Sequence, residues 1–154
     1  MSEYRAKTVW RRATPDFLYD TYNRAHEVRM GGGQIVPWSS APEFKGEPER
    51  VNPEEALVAA LSTCHMLTFL AIAARKRYTV DLYEDDAHGL MTKNEKGKLW
   101  VSKVVLAPKV VFGGENKPSQ AEISAMHHSA HENCFIANSV KTETIVEGLG
   151  DHEN

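Results

Sequence analysis

The 154-residue sequence has few cysteines, no real excess of either charge, and no uninterrupted apolar run of membrane-spanning length. Each shortage excludes something. With 18 basic against 21 acidic residues the net charge is −3, so no electrostatic footprint for nucleic acid or an anionic membrane surface is expected. The opening MSEYRAKTVWRR has no apolar signal-peptide core and reads as the start of a strand. The longest apolar stretch, residues 56–74, is interrupted by Ser62, Thr63, His65 and Thr68. It follows Glu54-Glu55 and ends in Arg75-Lys76-Arg77, which describes a core helix with charged ends and not a membrane span. A cytoplasmic location is therefore expected. There, thiols stay reduced and structural disulfides are rare. The only two cysteines, Cys64 and Cys134, are then either inert core residues or reactive ones.

The remaining composition is ordinary: 42% apolar and 25% charged, enough to fold and to disfavour disorder outside the tails. No repeat or low-complexity linker divides the chain. One domain over residues 1–154 is expected, with a core of about 4–148 and a short flexible C-terminal tail. Residues 4–12 and 24–38 read as strands, the second group folded about Gly31-Gly32-Gly33. Residues 39–51 read as an exposed loop. Asn52-Pro53-Glu54-Glu55 supplies an N-cap, a first-turn proline and two acids for the positive end of a helix running to about Arg77. Alanine and leucine cover nearly all its circumference, so it must be surrounded by protein, and a second subunit is expected to supply much of that cover. Residues 78–91 and 98–112 read as strands joined at Asn94-Glu95-Lys96-Gly97. Ser119-x-x-Glu122 opens a helix of about 120–133, and 138–147 alternates as a last strand. This order gives an α+β domain.

Chemistry concentrates at the two cysteines. A thiol in the middle of an apolar helix, as at Cys64, has a raised pKa unless a positive or hydrogen-bonding group reaches it. Ile123, His127, His131 and Cys134 share one helical face. If that face packs on the Cys64 face, two thiols and several imidazoles share one half-buried site. Three readings stay open for the histidines His65, His127, His128 and His131: solvated or hydrogen-bonded side chains, cations that lower a thiol pKa, or, for His127 and His131 with Cys64 and Cys134, a zinc site. Trp38, Met66, Phe69, Met126 and Phe135 line either an apolar pocket or ordinary core.

The run NPEEALVAALSTCHMLTFLA, the strand pair after it and HENCFIANSVKTE are similar to the osmotically inducible protein C/organic hydroperoxide resistance (OsmC/Ohr) family, from about Asn52 to Glu147. The resemblance implies an OsmC-like fold, with antiparallel sheets packed around a long buried helix carrying the first cysteine, in an intertwined homodimer. It implies a cofactor-free, thiol-dependent peroxidase in which Cys64 attacks an organic hydroperoxide. Cys134 then resolves the sulfenic acid as a disulfide, and an external dithiol, in the family taken from lipoylated proteins, restores both thiols. Glu54 matches the family's acid, which pairs with an arginine beside the thiolate. Arg24 is preferred for that arginine over Arg29 and Arg50. Ten residues of helix span about 15 Å, so Glu54 reaches a Cys64 only from a second subunit or across a break in the helix. The rival for Glu54 is simple complementation of the helix dipole. At the level of function the alternatives are a zinc-binding protein and a non-catalytic binder of apolar small molecules.

Overall fold

The computed structural model describes residues 1–149, so the expected C-terminal tail lies almost wholly outside the described residues. The chain divides into two compact units, Met1–Ala56 and Leu57–Asn154.

In the first unit β1 (Ala6–Val9), β2 (His26–Met30) and β3 (Ile35–Trp38) form an antiparallel sheet in the order β1-β2-β3. The triple glycine makes the expected hairpin. Met30 and Gln34 close it through the Met30 N–H and Gln34 carbonyl at 2.9 Å, and Gly33 sits at φ 89°, where a side chain would be strained. The loop that follows is not featureless. Pro42–Phe44 makes a 3-10 turn, and the Gly46 N–H returns to the Ala41 carbonyl at 3.1 Å. A Cβ on Gly46 would lie 1.5 Å from the Ser40 carbonyl oxygen, so only glycine fits there.

Helix α1 (Pro53–Arg75) starts as its sequence dictates. The Asn52 side chain accepts the Glu55 N–H at 2.8 Å, and Glu55 reaches back to the Asn52 N–H at 3.4 Å, a capping box that uses Glu55 and leaves Glu54 out. The helix is continuous to Arg75, and the chain leaves it through Arg77 at φ 61°. Within this single chain only one stripe of α1 is sealed: Leu61, His65, Phe69 and Ala73, four residues apart. The opposite stripe, Ala59, Thr63, Leu67 and Ala71, is exposed, with Leu67 58% accessible. By length and composition alone α1 could cross a membrane. Its sealed stripe instead packs inside the second unit.

The second unit carries one long antiparallel excursion, β4 (Thr79–Asp85), β5 (His88–Lys93), β6 (Leu99–Leu106) and β7 (Pro108–Gly113). Registers run from Lys93↔Leu99 through His88↔Val105 to Asp85↔Pro108 and Thr79↔Gly113, so each of the two expected strands exists but breaks into two. The break falls where the Asp85 carboxylate accepts the Ala107 N–H at 2.7 Å in place of a ladder partner. The turn at Asn94–Gly97 forms as expected, with Asn94 Oδ1 accepting the Lys96 and Lys98 N–H groups. Helix α2 (Gln120–Glu132) opens on a complete Ser119/Glu122 capping box. The last strand is shorter than its alternation suggests. Residues Ala137–Ser139 turn as a 3-10 helix and only β8 (Glu143–Val146) pairs, parallel to β6, so one ladder departs from the antiparallel expectation.

Two apolar clusters fill this unit. Leu61, Val104, Leu106 and Val146 make one; Phe69, Ala73, Met126 and Ala130 make the other. Phe69 and Met126 are fully buried core, not pocket lining, and Phe135 is 82% exposed, so these three do not line one apolar pocket within this chain.

Candidate functional site

The middle turn of α1 lies between the two clusters, since Leu61 belongs to one and Phe69 to the other. Three of its side chains each reach a different element. Ser62 donates to the Asp85 carboxylate on β4. His65 Nε2 lies 3.1 Å from His127 Nδ1 on α2. Cys64 faces Cys134, just past the end of α2, closely enough to act on its thiol. A polar layer thus separates two apolar bodies, and the two cysteines, distant in sequence, come together in it.

Cys134 is 1% exposed and unbridged, as is half-buried Cys64. Burial pushes the Cys134 thiol up, and the neighbouring Cys64 thiol pushes the same way. The backbone N–H groups of Ala137 and Ile136 oppose this, the Ala137 N–H lying 3.4 Å from the sulfur. The segment carrying this thiol is tied down locally. Asn138 donates through Nδ2 to the carbonyls of Glu132 and Cys134, both at 2.9 Å, and the Ser139 hydroxyl donates to the Phe135 carbonyl at 2.7 Å. These ties fix the backbone that carries the Cys134 sulfur.

The imidazoles of His65 and His127 are held neutral near pH 7. Burial pushes both His65 and His127 down to about 4, with His127 and His131 adding repulsion at His65, while Asp85 partly offsets the shift at His127. The rings of His65 and His127 lie nearly parallel, 4° apart, and His127 stacks on Phe69 at 4.2 Å between centroids. The Nδ1 atoms of His65 and His131 are buried with no hydrogen-bond partner among the described residues. Neutral rings cannot act as cations toward a thiolate, which sets that reading aside for His65 and His127. His128 faces outward, 3.4 Å from Glu132. Among the described residues no three His, Cys, Asp or Glu side chains are grouped to hold a metal ion, so the zinc set of Cys64, Cys134, His127 and His131 is not assembled. A cleft of about 610 Å³ lined by Glu84, Asp85, Asp86, His88, Lys109 and Glu147 includes neither cysteine, and its acids are unsuited to an apolar substrate.

Glu54 and Arg24 lie in the first unit. The Oε2 of Glu54 is buried with no hydrogen-bond partner among the described residues, while the capping work falls to Glu55. Dipole complementation therefore does not account for Glu54's burial. The Arg24 guanidinium donates to the Tyr19 and Tyr22 carbonyls and lies 3.7 Å from the centroid of the Tyr22 ring. Two of its five N–H donors make these bonds. Its preference for this carbonyl-and-ring setting is visible only in three dimensions, and no ion pair joins it to Glu54 among the described residues. Arg50 is committed to Glu47 at 2.5 Å and Arg29 lies near Glu27 at 3.5 Å.

Sequence reasoning missed Ser62, Asp85 and Asn138. Asp85 carried no signal beyond being one of four acids near a strand end. Asn138 was within reach, since an asparagine four residues after a helix-end cysteine commonly returns its amide to nearby carbonyls.

Residues 46–147 match the family described as OsmC-like protein. An OsmC-like protein of unknown function from Vibrio cholerae O1 biovar eltor str. N16961 has TM-score 0.91 and 49% identity, over 96% of this chain and 99% of that chain. An organic hydroperoxide resistance protein OsmC from Legionella pneumophila shares the fold, at TM-score 0.67 and 20% identity over 95% and 94% of the two chains. The uncharacterized protein YmaD of Bacillus subtilis (strain 168) is 25% identical over 123 residues, 77% of this chain and 80% of that protein. With its α+β architecture, its sheet and helix order and two thirds of its length in agreement, this chain belongs to the OsmC-like family.

Proposed function

We propose that the protein is a thiol-dependent peroxidase that reduces organic hydroperoxides through Cys64 and Cys134. The observation that carries this reading is the meeting of the two thiols in a polar layer between apolar clusters. The Cys64 thiolate attacks one peroxide oxygen. The O–O bond breaks, Cys64 becomes a sulfenic acid, and the departing alkoxide takes a proton to leave as an alcohol. The Cys134 sulfur then attacks the Cys64 sulfur. The S–O bond breaks, and hydroxide leaves with the Cys134 proton as water. A dithiol reductant, such as a lipoylated protein, exchanges with the disulfide and returns both thiols. No cofactor is needed, because the substrate supplies the oxidant.

Glu54 and Arg24 are proposed to hold the thiolate. Because α1 is continuous, Glu54 sits about 15 Å along the helix from Cys64 of its own chain. The route left is from a second copy in a homodimer, whose contact would also cover the exposed Ala59–Ala71 stripe. The OsmC family includes proteins of organic hydroperoxide resistance, which supports a cytoplasmic peroxidase over a passive binder.

The test is the intact mass before and after one equivalent of cumene hydroperoxide. The expected result is loss of two hydrogens in the native protein and gain of one oxygen, trappable by dimedone, in Cys134→Ser. Survival of both free thiols in the native protein would remove the enzymatic reading.

A further inference from the structure

The peroxidase reading assigns no role to the buried histidines, yet they occupy the most protected polar position in the second unit. His65 is 1% exposed and immediately follows Cys64; His127 lies on α2, seven residues before Cys134. Their 3.1 Å contact is the side-chain hydrogen bond that joins α1 to α2 directly. Around it α1 and α2 meet through apolar side chains, Phe69 and Ala73 against Met126 and Ala130, whose attraction is non-directional and specifies distance better than it specifies sliding along the helix axes. A directional bond between the helix that carries one thiol and the helix that leads into the other fixes the register of that sliding.

We propose that the His65–His127 hydrogen bond is the positioning device for the resolving step, holding Cys134 in line with oxidised Cys64. This rests on the peroxidase reading for its chemistry, but not for its geometry. The titratable groups acting on the pair are His131 on α2 and Asp85 on β4. No lysine or arginine acts on either ring among the described residues. Asp85 is already engaged by Ser62 and by the Ala107 N–H, so it cannot turn fully to a cation. In the neutral pair one N–H bridges Nε2 and Nδ1. A first proton leaves that bond in place but sets a charge between two apolar clusters. A second makes both facing nitrogens donors and removes the bond, and the helices lose their register.

The atoms involved choose the variants. His127 bonds through Nδ1, the position an asparagine amide mimics, so His127→Asn keeps the bond and cannot titrate. His127→Leu removes it. On the full chain, quenched reactions with one equivalent of cumene hydroperoxide follow dimedone-trapped Cys64 and disulfide closure separately. In His127→Leu closure should slow about tenfold or more while sulfenic acid accumulates, with the first step nearly unchanged. His127→Asn should restore closure at neutral pH and keep it as pH falls below about 4, where a second proton removes the bond in the native protein. Equal rates of closure in the native and His127→Leu proteins would overturn the proposal, as would a His127→Asn acid profile identical to native. If His127→Leu does not fold, the native and His127→Asn profiles decide the matter alone. A glutathione redox titration separates this idea from the enzymatic one, because it forms the disulfide without peroxide. There, His127→Leu should need an about tenfold more oxidising ratio to close, and no shift would sink the positioning role even if peroxidase activity is present.

Discussion

At the scale of single residues, the site pairs groups whose environments keep them uncharged, and this has a consequence for acid stability. His65 and His127 titrate near 4 in the folded chain against about 6.5 when unfolded. Between those values the unfolded chain binds protons that the folded one refuses. The pair's contribution is therefore fully present above about pH 6.5 and is lost as pH falls toward 4. The loss should be on the order of a few kcal/mol for the pair, given the depth of burial. Urea denaturation at about pH 7.5 and pH 4.5 measures it. The double variant His65→Gln/His127→Asn should show a flatter dependence, and an equal slope in both proteins would contradict the neutral-pair description. At this scale the sequence was informative about identity and silent about contact. Cys64 and Cys134 stood out as the only thiols, and His127 and His131 as sharers of a face with Cys134. That His65 pairs with His127, and that Asp85 takes Ser62, depends on how α1 is rotated about its axis against α2 and β4, which no local pattern encodes.

At the scale of elements, local rules explain more. The caps of α1 and α2, the glycine hairpin and the Asn94–Gly97 turn were legible because each rests on neighbouring residues whose chemistry acts at short range. The split of the strands at Asp85 and Ala107 was not, since the substitution of a carboxylate for a ladder bond joins residues 22 positions apart. Nor was the parallel partner of β8, because alternation fixes which face a strand buries but not its neighbour. The loop at Gly46 offers a test of how tightly an apparently irregular segment is built. Gly46→Ala would drive a Cβ into the Ser40 carbonyl, 1.5 Å away, and neither group is a flexible side-chain end. It should cost about 1–3 kcal/mol in a thermal or urea melt. An unchanged midpoint would show that the loop relaxes freely.

At the scale of the whole molecule, the exposed stripe of α1 matters most. Ala59, Thr63, Leu67 and Ala71 are small or apolar, and their face is the one the chain leaves uncovered. A helix apolar on every side led to the expectation of a second copy, which we propose covers this stripe. Sedimentation at micromolar concentration should give a dimer, and Leu67→Lys should shift it to monomer with a loss of peroxide turnover. A native monomer would remove both the dimer and the placement of Glu54 beside a partner's thiolate.

The hub formed by Ser62, Cys64 and His65 also constrains how the gene can vary. Because each of these side chains serves a different element, a residue inserted between Leu61 and Phe69 would rotate part of the turn by about 100° relative to the rest. No single neighbour could follow that rotation without abandoning the other two. The segment can absorb changes of chemistry on its outer face, yet its length is fixed.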